Sequence, residues 1–438
     1  MVAPLEADIL IRGCTILPMN GKGIMERGLV ATKNGGISYV GREAGAPPIK
    51  AEKAIDGRGK VAAPGLINCH THLSMTVFRG IAEDQELSKW LSETIWPLEA
   101  KLKAGDVYDG TLLGCLEMIK SGTTCFADMY FHEEMVAKAV EKAGLRAVLA
   151  PGIIEGEMSK RGERMLKESM DIARKFHGYA NGRVSIRLGP HAAYTCSPNL
   201  LTKIRETASA LNVGIHMHLA ESKEMVKLVK EKYGLTEIEL LESIGFLKPD
   251  VLAAHCIHLS DEEMKLMAKR DIKVSYNPVA NMKIGLGVSK IKDLMGFGIT
   301  VGIGTDGPAS NNSLDMFEEM KVAALLQKVH YMDPTVLPAQ RVLKMATVDG
   351  ARALGLEKAV GSLEVGKRAD IILIDFRRPH LMPVHDLYAN LVYSARGSDV
   401  DTIIVDGNIL MEGREVKTLD EEAVMERAQK TALDILAR

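Results

Sequence analysis

The chain has 438 residues, 46% hydrophobic and 26% charged, the proportions of an ordinary globular protein with room for one large domain and a smaller companion. Its formal net charge of -2 offers no clustered basic excess, so neither nucleic acid nor an anionic membrane surface is expected as a partner. The six cysteines (Cys14, Cys69, Cys115, Cys125, Cys196 and Cys256) form no C-x-x-C pair and read as reduced thiols; with no leader, anchor or long apolar run visible, a cytoplasmic protein is expected.

In chain order, residues 1–62 (ADILIRGCTILP, GLVATKNGGISYVG, KAIDGRG) read as short strands punctuated by glycine turns. From about Val61 eight apolar strands follow, each ending in polar residues: VAAPGLINCHTH, TTCFADM, RAVLAPGI, VSIRLGPH, VGIHMHLAE, VLAAHCIHL, KVSYNP and TVGIGTDG. Amphipathic stretches such as EEMVAKAVEKAG and SPNLLTKIRETASALN separate them. This alternation predicts an α/β fold, a closed parallel (β/α)8 TIM barrel over residues 63–360. An open doubly wound sheet would carry a glycine-rich phosphate turn after its first strand, and GLINCHTH is not one. From about Gly361 the strand-and-turn texture returns (GSLEVGKRADIILIDF, DTIIVDGNILMEGREV), so 1–62 and 361–438 are expected to meet as a small β-sandwich. The tail has Val424, Ala428, Thr431 and Ile435 on one stripe and reads as a closing surface helix.

On these strands the ionisable residues fall at C-terminal ends, where a parallel barrel builds its active site. His70 and His72 share a face of the first strand; His218, His255 and Asp306 end the fifth, sixth and eighth. Imidazoles with a carboxylate form a mixed set suited to a catalytic zinc or ferrous iron with one position left for water. A lone histidine is more often structural, and His132, His177, His330, His380 and His385 receive that reading; His216 is assigned to the barrel interior.

PGLINCHTHL, HLAE, AAHC and GTDGPASNNSLDMFEEM resemble the motifs of the amidohydrolase superfamily, in particular its 5′-methylthioadenosine/S-adenosylhomocysteine deaminase branch, and the resemblance spans nearly the whole chain. It implies that His70, His72, His218 and Asp306 hold one divalent metal, with zinc expected and iron or manganese as alternatives, while His255 sits beside the bound water. The binuclear branches use a carboxylated lysine on the fourth strand; VSIRLGPH has none, so a second metal is not expected. His191 is similar to the histidine that faces the purine, and Trp90 and Glu99 are similar to the residues that cover the nucleoside and hold its ribose hydroxyls. Ser310 is a candidate contact to the base, and Arg161 or Arg164 a candidate contact to a 5′ substituent. Without the resemblance, Trp90, Trp96 and Glu99 would read as part of an amphipathic barrel helix.

The expected reaction is hydrolytic deamination of an adenosine-type nucleoside: methylthioadenosine, S-adenosylhomocysteine, 5′-deoxyadenosine or adenosine. A divalent cation brings the pKa of bound water from about 15.7 to about 7, and Asp306 is placed to take the proton. His255 would stabilise the charge developing as C6 is attacked, and Glu221 would protonate ring N1 and help the proton reach the departing ammonia. The bland alternative for Glu221 is a helix-capping carboxylate. Rival functions are a guanine or cytosine deaminase, a triazine-type chlorohydrolase of the same machinery, or a non-catalytic barrel scaffold. The expected partners are a small nucleoside and further copies of the chain.

Overall fold

The computed structural model describes residues 4–81, 83–154 and 160–438. The N-terminal segment forms β1 (Leu5–Ile16), β2 (Met25–Lys33), β3 (Gly36–Arg42), β4 (Ile49–Asp56) and β5 (Lys60–Pro64). β1 is long enough to serve three neighbours: β2 antiparallel, β4 parallel through Leu5–Arg12, and β5 parallel at Thr15 and Ile16. The change of partner falls at Gly13, whose φ of +72° a side chain would resist and beside which the register with β2 shifts.

The chain then alternates strands and helices through β6 (Leu66–Thr71), β7 (Thr123–Tyr130), β8 (Arg146–Ile153), β9 (Val184–Ile186), β10 (Gly189–Pro190), β11 (Ile215–Leu219), β12 (Val251–His255), β13 (Lys273–Tyr276) and β14 (Val301–Ile303). All of the expected strands are present, the fourth broken into β9 and β10 inside VSIRLGPH. Pairing is parallel throughout, in the orders β10-β8-β7-β6, with β9 also on β8, and β11-β12-β13-β14. β7 and β12 are buried along their whole length, as expected of strands covered on both faces. A parallel bridge from Leu188 to Ile215 joins the two sets on one side, and the Asp306 N–H donates to the His70 carbonyl at 2.9 Å on the other. The arrangement is a mixed α/β fold with parallel strands and connecting helices.

β15 (Ile371–Asp375), β16 (Val400–Val405), β17 (Asn408–Glu412) and β18 (Glu415–Val416) return to the N-terminal strands. The pairing order is β18-β17-β16-β15-β5-β1-β2-β3, with β4 on β1. Both termini therefore meet, and their hydrogen bonding makes one nine-stranded sheet. A buried ion pair ties this sheet to the parallel strands: Arg146, opening β8, donates to both oxygens of Asp370 at 2.8 and 3.1 Å. The C-terminal helix Glu421–Ala437 buries Val424, Ala428, Thr431 and Ile435, the stripe read from the sequence, and Thr431 donates to Asp109 at 2.9 Å. All six cysteines are buried and none is in a disulfide. Among the described residues no helix is long and apolar enough to cross a membrane.

Candidate metal centre and active site

The expected ligands converge. His70 lies in β6 and His72 just past its end, His218 is in β11, His255 ends β12, and Asp306 follows β14 at φ +62°, a left-handed conformation that aspartate tolerates. Gly304 permits the close approach of this last loop: a Cβ there would lie 2.6 Å from Asn277 Oδ1 and 2.7 Å from the His70 nitrogen. His70 Nε2 and His72 Nε2 lie 3.4 and 3.3 Å from Asp306 Oδ1, and His218 Nε2 lies 3.3 Å from His72 Nε2. Donor atoms about 2.0–2.1 Å from one tetrahedral ion would stand about 3.3–3.4 Å apart, so the spacing fits a single zinc-sized cation.

The other ring nitrogens fit it too. His72 Nδ1–H donates to the Met129 carbonyl at 2.6 Å, His218 Nδ1–H to the His191 carbonyl at 2.9 Å, and His70 Nδ1 meets His216 Nε2 at 2.8 Å. Each Nε2 is thereby turned to the centre, and the buried Nε2 atoms of His70 and His255 have no hydrogen-bond partner, as expected of donors awaiting a cation or its water. Burial lowers His70 to about 4, and it lowers His218 and His216 well below the usual range, which keeps these imidazoles neutral. Burial opposes ionisation of Asp306, but the facing imidazoles of His70, His72 and His255 hold its carboxyl well below the ordinary range.

His255 also stands with His70 and Asp306 in a group whose donor atoms could hold a metal. Its Nδ1–H donates to Asn281 Oδ1 at 2.8 Å, leaving Nε2 3.7 Å from the Glu221 carboxylate. Burial raises Glu221, with the nearby histidine pulling the other way. The capping alternative falls to its neighbour: Ser222 is the N-cap of helix Lys223–Tyr233, accepting the Met225 N–H, while Glu221 lines the cavity above the histidines.

Trp90 and Glu99 also reach that cavity. They sit not on a barrel helix but on a cap between residues 87 and 99, where Trp90–Ile95 forms a π-helical turn; the first long helix is Ala104–Ser121. Trp90 is buried, and burial raises Glu99 to about 7 although the Tyr130 hydroxyl beside it pulls down. His191 lines the cavity, its Nδ1 3.0 Å from Thr195 Oγ1; burial lowers it to about 3, so the ring is neutral. Ser310 lines the cavity as well, but its hydroxyl donates to Asp306 Oδ2 at 2.8 Å, which gives it a partner other than a base. Arg161 and Arg164 stand off, on the wall of an adjoining outer cavity with Glu134, Glu168 and Asp171; Arg164 is 3.7 Å from Glu168. Part of the segment APGIIEGEMSKRGER, residues 155–159, lies outside the described residues.

Sequence reasoning missed the polar groups that orient these side chains, His216 toward His70 and Asn281 toward His255, and the cavity-lining Tyr130 and Tyr194. The signal for Asn281 was its place in NPVANMK, directly after a barrel strand.

Residues 61–410 match the model of the amidohydrolase family. The chain is 49% identical over 433 residues to the 5′-deoxyadenosine deaminase of Methanosarcina acetivorans, covering 99% of each, and 49% identical over 425 residues to the 5-methylthioadenosine/S-adenosylhomocysteine deaminase of Desulforudis audaxviator, covering 97% of this chain and 98% of that one. Among solved structures, an adenosine deaminase from Xanthomonas campestris with bound zinc superposes with a TM-score of 0.96 at 31% identity, over 100% of both chains. With these matches running through the strands that carry the histidine and aspartate cluster, the chain belongs to the amidohydrolase family.

Proposed function

We propose that this chain deaminates adenosine-type nucleosides by hydrolysis, yielding the inosine analogue and ammonia, with one divalent cation per chain and zinc as the expected ion. The observation that carries the reading is the convergence of functions on one cavity: His72, His218 and Asp306, which group with the buried His70, line it together with Glu221, His255, Trp90 and Glu99. When bound, the cation acidifies water and acts as a Lewis acid. Asp306 accepts the proton of the attacking water. Glu221, whose carboxyl burial raises, gives a proton to ring N1, recovers one from the hydroxyl added at C6 and passes it to the leaving nitrogen. His255 has its Nδ1 held by Asn281, which fixes the ring with Nε2 3.7 Å from Glu221 and beside the charge that develops as C6 is attacked. Neutral His191 offers the base a hydrogen bond, and Glu99 accepts from a vicinal diol.

The names of the relatives support a nucleoside with a modified 5′ position, and the outer cavity, with cations at Arg161 and Arg164 and anions at Glu134 and Glu168, gives such a group room. The same reading takes the eight parallel strands as a closed barrel, 63–360, supported by the Leu188–Ile215 bridge and the Asp306–His70 hydrogen bond. It takes 1–62 with 361–438 as the companion domain, its sheet curling into a sandwich. The test is ammonia release by purified, metal-loaded protein on adenosine, 5′-deoxyadenosine, 5′-methylthioadenosine and S-adenosylhomocysteine, beside free guanine and cytosine. Release from at least one nucleoside is expected; release from free bases alone would overturn the assignment.

A further inference from the structure

Glu237 is a buried carboxyl outside the reacting cavity, 3% exposed, on the first turn of helix Glu237–Ser243. It does not cap that helix, since Thr236 and Glu239 form the capping box. Instead one carboxylate oxygen accepts the Ala220 N–H at 2.6 Å. Ala220 is the residue between β11 and Glu221, and it holds a left-handed φ of +49°, an unfavourable conformation for a residue with a side chain. Its carbonyl is held as well, accepting the N–H groups of Ile257 and His258 at 3.0 Å each from the loop after β12. Both backbone polar groups of one strained residue are thus pinned, immediately before Glu221, which lines the cavity, and two residues before the Ser222 cap. Burial raises Glu237 to about 7, with the Ala220 N–H opposing and the Glu221 charge adding to the rise. A carboxyl buried without a cation is a costly way to fill space. Its reach to a single strained amide is what it contributes here.

We propose that Glu237 is the positioning residue for Glu221: by holding the Ala220 amide it fixes the left-handed turn that delivers the Glu221 carboxyl to the cavity. The inference rests on Glu221 being the general acid and base. It requires an acceptor oxygen at the length of a glutamate side chain and does not require charge. Glutamine keeps that oxygen, whereas aspartate keeps the charge and falls short.

The experiment measures kcat, KM and bound metal on 5′-deoxyadenosine, or on whichever nucleoside releases ammonia, for Glu237→Asp and Glu237→Gln, each alone and in a Glu221→Gln background. Glu237→Asp should lower kcat about 10- to 100-fold with KM and metal content unchanged, the scale of a lost outer-sphere support. Glu237→Gln should rescue kcat to within about threefold, since its oxygen can still accept the amide. With Glu221 already removed, Glu237→Asp should change kcat less than about twofold, because coupled residues are not additive. An equal loss in both backgrounds, or wild-type turnover for Glu237→Asp, overturns the proposal. Should the Asp chain fail to fold, the isosteric Gln chain still decides: a fall in kcat of about tenfold or more with full metal refutes the acceptor role. Normal turnover by Glu221→Gln alone would instead refute the reading of Glu221, and the inference with it.

Discussion

Removing the Glu99 carboxylate should make the enzyme blind to the ribose 2′-hydroxyl. Glu99 reaches the cavity from the cap, and burial has already raised its carboxyl to about 7. A diol that donates to it relieves that desolvation. A 2′-deoxynucleoside leaves one acceptor position of a buried charge unpaired, costing about 1.5–3 kcal/mol, which is about 10- to 150-fold in kcat/KM. Glu99→Ala should impose a similar or larger loss on the ribonucleoside and then distinguish the two sugars less than about threefold. The pH profile carries the same signature. Because the free-enzyme carboxyl is raised, it is protonated below about 7 and offers fewer acceptor sites; kcat/KM should therefore climb as pH rises through about 7, a limb that Glu99→Gln abolishes. Substrate binding favours the ionised form, so the limb should be weaker in kcat. The assay is a four-cell cycle of wild type and variant on the ribo- and 2′-deoxynucleoside. Additive losses with an unchanged acid limb would show that Glu99 never meets the sugar.

Three further outcomes are expected. Protein purified without added metal should contain about one equivalent of divalent cation per chain; two equivalents, both needed for activity, would contradict the proposed single-ion centre. Asn281→Leu should keep the metal yet lose about 10- to 100-fold in kcat, because His255 loses the acceptor at 2.8 Å that orients it; unchanged kcat would leave Asn281 with packing alone. Arg146→Met should destabilise the fold by about 3–5 kcal/mol in denaturant titration by stranding the buried Asp370, whereas a loss below about 1 kcal/mol would mean the ion pair is dispensable.

The strands were legible because each is a short, largely buried apolar run that ends abruptly in polar residues, and their polar ends are where His70, His218, His255 and Asp306 stand. The terminal sheet was legible in content and not in pairing: alternation marks a strand, but nothing in ADILIRGCTILP says that β1 serves three partners and changes them at Gly13. The cap was hidden for a related reason. LSKWLSETIWPLEAKL has the periodicity of a barrel helix, and its π-helical turn over the cavity depends on what lies beneath it. The residues that orient others were least visible. His216 beside His70, Asn281 beside His255 and Glu237 beneath Ala220 are each far in sequence from what they hold, so only the folded geometry pairs them.

The central claim, hydrolytic attack at C6 of a nucleoside, is tested most directly by running the reaction in oxygen-18 water and weighing the product. The account predicts one ammonia released per turnover and a single oxygen-18 in the base of an otherwise intact inosine analogue. Free adenine, label in the sugar, or an unlabelled product would contradict it.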